Sequence, residues 1–375
     1  MKKSYETQNA MVAFLLEIGL WEDSRRRFVL PAGPHFLSSQ DVETVNCLGP
    51  AIVGFAKIAD EAMHEAVDKN LCNDGMGLFR RAATAGIPRF RVGYQQKLSE
   101  IASSTTKVDL VRGIDGKLHV VEIDTTNTHG LGYGKILKSL EYLHNAEHQG
   151  FVGTEAVLNH SPLSVIVPFR DRFHEGEWYS TANLIDTLTF HREIESVSSD
   201  FQGKTVLDIH HRLEKSFQHE LVAMAEAGEL KLLVPPKDKL GTKNMLPLIW
   251  NKQAGEILKE KGLTAESFEI LHKHVPESLF ASKRMSWEKF SDADWLAKEV
   301  VSNAMKGVSA PSTINTNKIG EFQFILQRRI SQCKQAFKFF GENGTEEAEL
   351  FSRYVVYFDQ GGWPLNVFTR QQMKN

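Results

Sequence analysis

Three acidic side chains on a predicted β-hairpin are the residues best placed to do chemistry in this sequence. Two short β-prone runs, residues 108–114 and 117–124, are separated by an Asp-Gly pair, which is a strong short-range hairpin signal. With a two-residue turn, Asp109 lies directly opposite Glu122, and Asp124 shares their face because side chains alternate along a strand. A four-residue turn slides the pairing by two and keeps all three carboxylates on one side.

The other face of this hairpin is apolar, and we expect it to pack into a core: Val108, Leu110, Val121 and Ile123. Carboxylates that oppose each other across a hairpin are destabilising unless a cation compensates them. A hard divalent cation such as Mg²⁺ would supply that charge and keep coordination positions open for substrate phosphates. The alternative is a solvated, salt-bridged face, in which Lys107, opposite Asp124, neutralises part of the cluster.

Composition and charge exclude several classes of protein. The chain has 375 residues, enough for two or three domains at roughly 150 residues per domain. Its 42% hydrophobic and 24% charged residues are typical of globular proteins and exclude a disordered chain. Because 44 Lys and Arg face 47 Asp and Glu, no overall basic field attracts nucleic acid or anionic lipid.

The cysteines and the apolar segments bear on location. Cys47, Cys72 and Cys333 are odd in number, widely spaced and never arranged as C-x-x-C, so we expect no disulfide framework and a reducing, cytoplasmic location. We also expect no signal peptide and no membrane helix, since no apolar segment approaches roughly 20 residues.

The rest of the chain predicts three kinds of segment around the hairpin. The first hundred residues are mostly helical, with a helix over residues 39 to 69 behind a serine N-cap. Residues 162–262 alternate strand and helix, which is typical of a small Rossmann-like α/β unit, and a helix is expected from about Met245 to Lys261. The remainder contains four β-prone runs and one helix near residues 292–305, as in an α+β lobe.

The hairpin resembles the carboxylate strand pair of ATP-grasp ligases, usually written R-x-D followed by E-x-N. Lys107 stands in place of the Arg and Asp124 in place of the Asn. Downstream, the L-G-T-K-N-M-L-P-L-I-W segment containing Lys243 resembles the N-K-x-x-L-P-L-L-W helix start of glutathionylspermidine-synthetase-like proteins. The carboxylates precede the lysines here, an order that resembles the circularly permuted branch of the superfamily.

The resemblance implies a mixed α/β and α+β fold that is ATP-grasp-like and circularly permuted. It implies four regions: a helical N-terminal region at 1–106, the carboxylate hairpin with its following helix at 107–160, a Rossmann-like pre-ATP-grasp unit at 161–262, and a nucleotide-binding lobe at 263–375. It implies ATP and Mg²⁺ as cofactors, and small-molecule or peptide carboxylates and amines as substrates.

The residues that match the family motifs take their expected roles from the resemblance. Mg²⁺ would be held by Asp109, Glu122 and Asp124, and ATP would be contacted by Lys243, Lys283 and the hinge residues Leu326 and Gln327. Arg353 and Arg370 look like the catalytic arginines that face the phosphates. The implied activity is amide-bond formation through an acyl phosphate. A non-catalytic ATP-grasp-like scaffold remains an alternative because no Gly-rich loop follows Lys283, and a phosphotransferase on the same fold remains one because it differs only in whether an amine is consumed.

Three rival motifs are weaker. A G-x-G-x-G sequence at 130–134 resembles a dinucleotide-binding turn but lacks the G-x-G-x-x-G spacing. An S-x-x-K sequence at 104–107 has no accompanying serine-hydrolase element. The histidines around 210–219 and 272–274 lack paired zinc-ligand spacing.

Overall fold

The structure is a computed structural model that describes residues 37–72, 74–126, 163–166, 189–191, 200–209, 213–301, 307–316, 320, 322–341 and 344–372. The Gly130–Gly134 loop and His210-His211 therefore lie outside the described residues. The described helices are α1 Ser39–Asp68, α2 Asp74–Thr84, α3 Arg89–Lys97, α4 Lys215–Glu226, α5 Met245–Trp250, α6 Lys252–Glu260 and α7 Ala265–His274.

Helix α1 begins where the sequence predicts, behind a capping box. The Ser38 hydroxyl oxygen accepts a hydrogen bond from the backbone N–H of Asp41 at 3.1 Å, and the Asp41 carboxylate accepts one from the Ser38 N–H at 3.1 Å. The same carboxylate forms an ion pair with Arg112 at 2.6 Å. The cap therefore fixes the start of the helix and links it to the first strand of the structure.

Replacing Ser38 with alanine is expected to lower the free energy of unfolding by about 1 kcal/mol, because the Asp41 N–H loses its acceptor at the helix start. Urea unfolding measures the effect. The neighbouring exposed Ser39 supplies the control: Ser39→Ala should change stability by less than about 0.5 kcal/mol. Equal losses in the two variants would contradict the capping role.

Helix α1 is also long and apolar enough, by length and composition alone, to cross a membrane. This differs from the expectation that no segment approaches that length. The helix packs its apolar side, including Ile52, Phe55 and Met63, into the largest hydrophobic core among the described residues. A core helix meets the same criterion of length and composition, so the criterion does not assign α1 to a membrane.

The strands form three sheets, whose bounds are β1 Thr106–Arg112, β2 Leu118–Asp124, β3 Leu163–Ile166, β4 Thr189–His191, β5 Thr205–Asp208, β6 Lys231–Val234, β7 Ser278–Phe280, β8 Trp295–Glu299, β9 Val308–Ser309, β10 Phe324–Arg328, β11 Lys334–Gly341, β12 Gly344–Phe358 and β13 Pro364–Gln372.

Sheet 1 joins the predicted hairpin to the last strands of the chain. Its order is β11-β12-β1-β2, with β13 also paired to β12, and all its pairings are antiparallel. Sheet 2 has the antiparallel order β7-β10-β8-β9. Sheet 3 has the parallel order β4-β3-β5-β6, as expected for the Rossmann-like α/β segment.

Two predicted helices differ from the structure. The helix expected near residues 292–305 is wrong: Trp295–Glu299 forms β8, whose residues all pair with β10. A short apolar run does not distinguish helix from strand, and here the ladder with β10 decides between them. The helix expected from Met245 to Lys261 is two helices, because Asn251 is extended and its side chain caps α6 by accepting from the Ala254 N–H at 3.1 Å.

The turn between β12 and β13 packs directly on helix α1. Gly49 of the helix lies so close to Gly362 of the turn that a methyl group on either glycine would overlap the backbone of the other segment. Gly362 also has φ of +83°, a left-handed conformation that favours glycine. The two backbones therefore approach as closely as they do because both positions lack a side chain.

Candidate functional site

The β1–β2 hairpin places the acids as predicted, although its turn differs. Asp109 pairs with Glu122, and Lys107 pairs with Asp124. The predicted two-residue turn is wrong: the N–H of Gly113 donates to the carbonyl of Lys117, leaving a three-residue loop that ends in Gly116 at φ +77°. A left-handed glycine at this place is typical of three-residue hairpin loops.

A β-bulge restores the predicted pairing of the acids. The register shifts by one between Leu110, which pairs with Val120, and Asp109, which pairs with Glu122, so Val121 has no partner on β1. The buried face of the hairpin therefore contains Val120 rather than Val121, together with Val108, Leu110 and Ile123. Placing Val121 in the core was wrong because a bulge shifts the alternation by one residue.

Arg353 of β12 is the cation that meets the facing pair of acids. Its Nη2 donates hydrogen bonds to Asp109 Oδ2 and to Glu122 Oε2, the latter at 2.9 Å. Lys107 Nζ lies 3.7 Å from the same Asp109 oxygen. Burial lowers the pKa of Arg353, but the two carboxylates outweigh it and raise that pKa above its ordinary value. The guanidinium is therefore charged and pairs with both acids, whereas the salt-bridged alternative named Lys107, opposite Asp124, as the compensating cation.

Asp124 occupies a separate, more enclosed position. Its Oδ1 accepts hydrogen bonds from the Thr126 N–H at 2.9 Å and from the Thr126 hydroxyl at 3.0 Å. Gly241 packs against it so closely that a Cβ there would overlap the Thr126 hydroxyl. Burial raises the pKa of Asp124 to about 6, against the opposite effect of Lys107. This carboxylate is thus partly protonated near neutral pH, unlike an ordinary exposed aspartate.

Sheet 2 contributes a lysine that the sequence interpretation missed. Lys298 of β8 is buried, and its ammonium donates a hydrogen bond to the carbonyl of Val121 at 3.2 Å. The bulge leaves this residue outside the regular ladder, so its carbonyl is available to a partner. Burial lowers the pKa of Lys298 to about 8, with Lys243 and Arg353 acting in the same direction and Glu122 and Asp109 against them. Sheets 1 and 2 therefore meet at Lys298.

Of the other predicted residues, Lys243 lies near this junction, whereas Lys283 is exposed. Lys243 is buried, its charge acts on Lys298, and its N–H donates to the Val300 carbonyl just after β8 at 3.3 Å. Lys283 is exposed in the turn after β7 and forms no hydrogen bond or ion pair with the described residues. Arg370 is the backbone register partner of Arg353 in the β12–β13 pair.

The predicted hinge residues lie in the middle of sheet 2. Leu326 and Gln327 pair with β7 on one side and with β8 on the other. Leu326 belongs to an apolar cluster with Ala281, Trp295 and Ala297. The Gln327 amide donates to the Ser278 hydroxyl at 3.3 Å. Adenine contact by these residues stays a prediction.

Two of the three hairpin acids, Asp109 and Glu122, have the donor chemistry of magnesium ligands. Among the described residues, no group of three His, Cys, Asp or Glu side chains is arranged to hold a metal ion. Mg²⁺ is nevertheless commonly held by one or two carboxylates together with substrate phosphates. Asp109 and Glu122 supply such a pair, whereas Asp124 is bound by Thr126. The pair fits Mg²⁺ in donor chemistry, and its present counter-ion is Arg353.

The fold built by these sheets is one already seen in a glutathione synthetase-like protein. No protein-family model and no curated protein matches the sequence. The chain is similar in structure to a glutathione synthetase-like effector from Globodera pallida in its apo form, with a TM-score of 0.62 and 10% identity, over 98% of this chain and 94% of that one. This likeness covers almost the whole length of both chains and concerns the fold.

A second solved structure is more distant. A "Putative gamma-glutamylcysteine synthetase" from Methylobacillus flagellatus KT has a TM-score of 0.39 and 12% identity, over 92% of this chain and 85% of that one. The fold combines helices with two antiparallel sheets and one parallel sheet, and the likeness to the glutathione synthetase-like effector concerns this fold alone.

Proposed function

We propose that this protein is an ATP- and Mg²⁺-dependent carboxylate–amine ligase of the circularly permuted ATP-grasp type. The observation that carries the proposal is the junction of sheets 1 and 2, where Lys298 and Arg353 lie beside the facing carboxylates Asp109 and Glu122 and the charge of Lys243 acts on Lys298. Cationic side chains from two sheets can bind the phosphates of a nucleoside triphosphate, and the neighbouring pair of acids can hold the Mg²⁺ that accompanies them. The glutathione synthetase-like fold supports a ligase over an unrelated nucleotide-binding protein.

In this proposal the basic side chains bind and orient the phosphates. Lys298 is held in place by the Val121 carbonyl, and burial strengthens its interaction with an anion because less water screens it. Lys243 adds a second charge beside it. Mg²⁺, held by Asp109 and Glu122, would neutralise phosphate charge when bound. Catalysis would then come mainly from positioning and from compensation of charge.

The proposed reaction forms an amide in two steps. The γ-phosphoryl group passes from ATP to a substrate carboxylate, which breaks the bond to ADP and forms an acyl phosphate. An amine then attacks the acyl carbon, the tetrahedral intermediate expels inorganic phosphate, and the amine loses a proton. Arg353 and Arg370, on paired strands, are the candidates for stabilising negative charge as it develops.

One observation favours a second candidate function, a binding scaffold without turnover. Arg353 already forms ion pairs with both Asp109 and Glu122, so these acids have a cationic partner without a metal ion. A scaffold of this kind would bind a ligand at the junction of sheets 1 and 2 and release no product.

ADP release separates these functions. Purified protein is incubated with ATP, Mg²⁺ and pairs of amino-acid or peptide carboxylates and amines, and ADP is measured together with amine consumption. A ligase releases ADP and consumes amine in equal amounts. ADP release without amine consumption indicates a phosphotransferase, whereas ATP binding without ADP release across the panel supports the scaffold.

Lys298→Met is expected to raise the Kd for ATP about tenfold or more, because a charge-assisted hydrogen bond contributes roughly 1.5–3 kcal/mol. Isothermal titration measures this value. Lys283→Met compares the two candidate lysine contacts, since Lys283 is the exposed lysine after β7: a Kd close to that of the wild type would assign the phosphate contact to Lys298 alone. The reverse pattern would assign the phosphate contact to Lys283.

A further inference from the structure

The facing carboxylates have one shared counter-ion, and a single nitrogen atom provides it. Arg353 Nη2 contacts both Asp109 Oδ2 and Glu122 Oε2. Asp109 is buried at 2% exposure, whereas the Glu122 side chain is 27% exposed and accessible to a solute. A cation placed between these two oxygens would therefore meet the positively charged nitrogen that now contacts both of them.

Hydrogen bonding satisfies the guanidinium of Arg353 only in part. Arg353 Nε is buried and has no hydrogen-bond partner among the described residues. Lys298 and Lys243 are close enough to influence the same charge cluster. The cluster thus contains positive groups beside Arg353, which disfavour a second cation unless one of the charges moves or is neutralised.

We propose that Arg353 is an exchangeable internal counter-ion, which a divalent cation displaces from Asp109 and Glu122, freeing the guanidinium to bind an anion. The displacement conserves charge pairing at the acids, because the divalent cation takes over both carboxylates as the arginine leaves them. The inference rests on the proposed function for the divalent-cation site at Asp109 and Glu122 and for a phosphate as the next partner of the guanidinium.

The first test measures Mn²⁺ binding by electron paramagnetic resonance in protein without nucleotide or substrates. Removing the competing charge in Arg353→Met should tighten Mn²⁺ binding about tenfold, which corresponds to roughly 1.4 kcal/mol. Arg353→Lys keeps a positive nitrogen and should remain within about threefold of the wild type. Since neither ATP nor an acid–amine pair is present, failure of the proposed ligase activity leaves this result readable.

A second substitution locates the ion. In the Arg353→Met background, Glu122→Gln should remove the gain in affinity, because the amide keeps the shape of the side chain and loses its charge. The proposal is overturned if Arg353→Met leaves Mn²⁺ affinity unchanged or weaker, if Glu122→Gln leaves the gain intact, or if neither wild type nor variant binds Mn²⁺.

A measurement on the wild type covers the case in which Arg353→Met does not fold. The Nε–H resonance of Arg353 is assigned in arginine-labelled protein by its loss in Arg353→Lys. Titration with Mg²⁺ should shift this resonance in a saturable manner, while K⁺ at equal ionic strength should not. An Nε–H resonance that responds equally to both ions would overturn the exchange.

Discussion

Gly49→Ala is expected to lower the free energy of unfolding by about 3 kcal/mol, the upper end of the usual cost of overpacking. The added methyl group would overlap the carbonyl oxygen of Gly362 and the ring of Phe358. The first of these is backbone, so it cannot rotate away as a flexible side chain can. Either α1 or the β12–β13 turn must move, and chemical denaturation of the purified variant measures the loss.

Gly54 is the matched control, because it lies in the same helix with open space around its Cβ position. Gly54→Ala should stabilise the protein by up to about 1 kcal/mol, since alanine is the better helix former. If the two substitutions change stability in the same direction, the close approach of α1 and the turn is not what restricts position 49.

Asp124→Asn is expected to stabilise the folded protein by about 3 kcal/mol at pH 8 and by less than about 1 kcal/mol near pH 4. The pKa of Asp124 is raised from 3.8 to about 6, first by burial. Folding therefore favours the protonated carboxyl: its contribution is complete below about pH 4 and is lost as pH rises through 6. Asparagine stays neutral throughout, and its side-chain oxygen can still accept from Thr126.

Urea unfolding of both proteins from pH 4 to pH 8 gives the pH dependence of the difference. Asp115, in the loop of the same hairpin, supplies the control. Burial tends to raise its pKa, but His119 and the Lys117 N–H lower it further, so the net shift is downward. Asp115→Asn should therefore bring no gain as pH rises. A difference for Asp124→Asn that stays constant with pH would contradict the enclosed position of Asp124.

The facing acids were predictable because strand pairing has a period of two residues. The sequence contains enough to place Asp109 opposite Glu122, and the structure confirms that register. It does not contain the turn length, since an Asp-Gly pair suits both two- and three-residue loops. Nor does it mark the bulge at Val121. The three-residue loop shifts the strand register by one residue, and the bulge at Val121 shifts it back by one. Asp109 therefore faces Glu122 as predicted, although the predicted turn is wrong.

The lysine at the junction was missed for a different reason. The sequence predicts a helix around Lys298, and that prediction gives no reason to expect its side chain at the hairpin. In the structure Lys298 belongs to β8, and its ammonium contacts the Val121 carbonyl. Trp295, Leu296 and Ala297 are three consecutive apolar residues, so the sequence shows no polar–apolar alternation that could have indicated a strand. Lys283 was favoured by motif resemblance and is exposed in the structure. Its role in nucleotide binding stays a prediction.

The partner of the acids could not be found from local spacing at all. Arg353 reaches Asp109 only because β12 pairs with β1, and no periodicity within either segment specifies that pairing. Resemblance to a family suggested a phosphate-facing arginine at this position. The structure adds that Arg353 binds both acids of the hairpin.

The pairing of β1 with β12 has a consequence for synthesis of the protein. Asp109 and Arg353 are 244 residues apart. At a translation rate of roughly 5–20 residues per second, about ten to fifty seconds separate their appearance from the ribosome. During that interval the hairpin has Lys107 near its acids but no arginine, and β1 presents an open edge on which other strands can pair. The candidate site is therefore completed late, after most of the chain has been made.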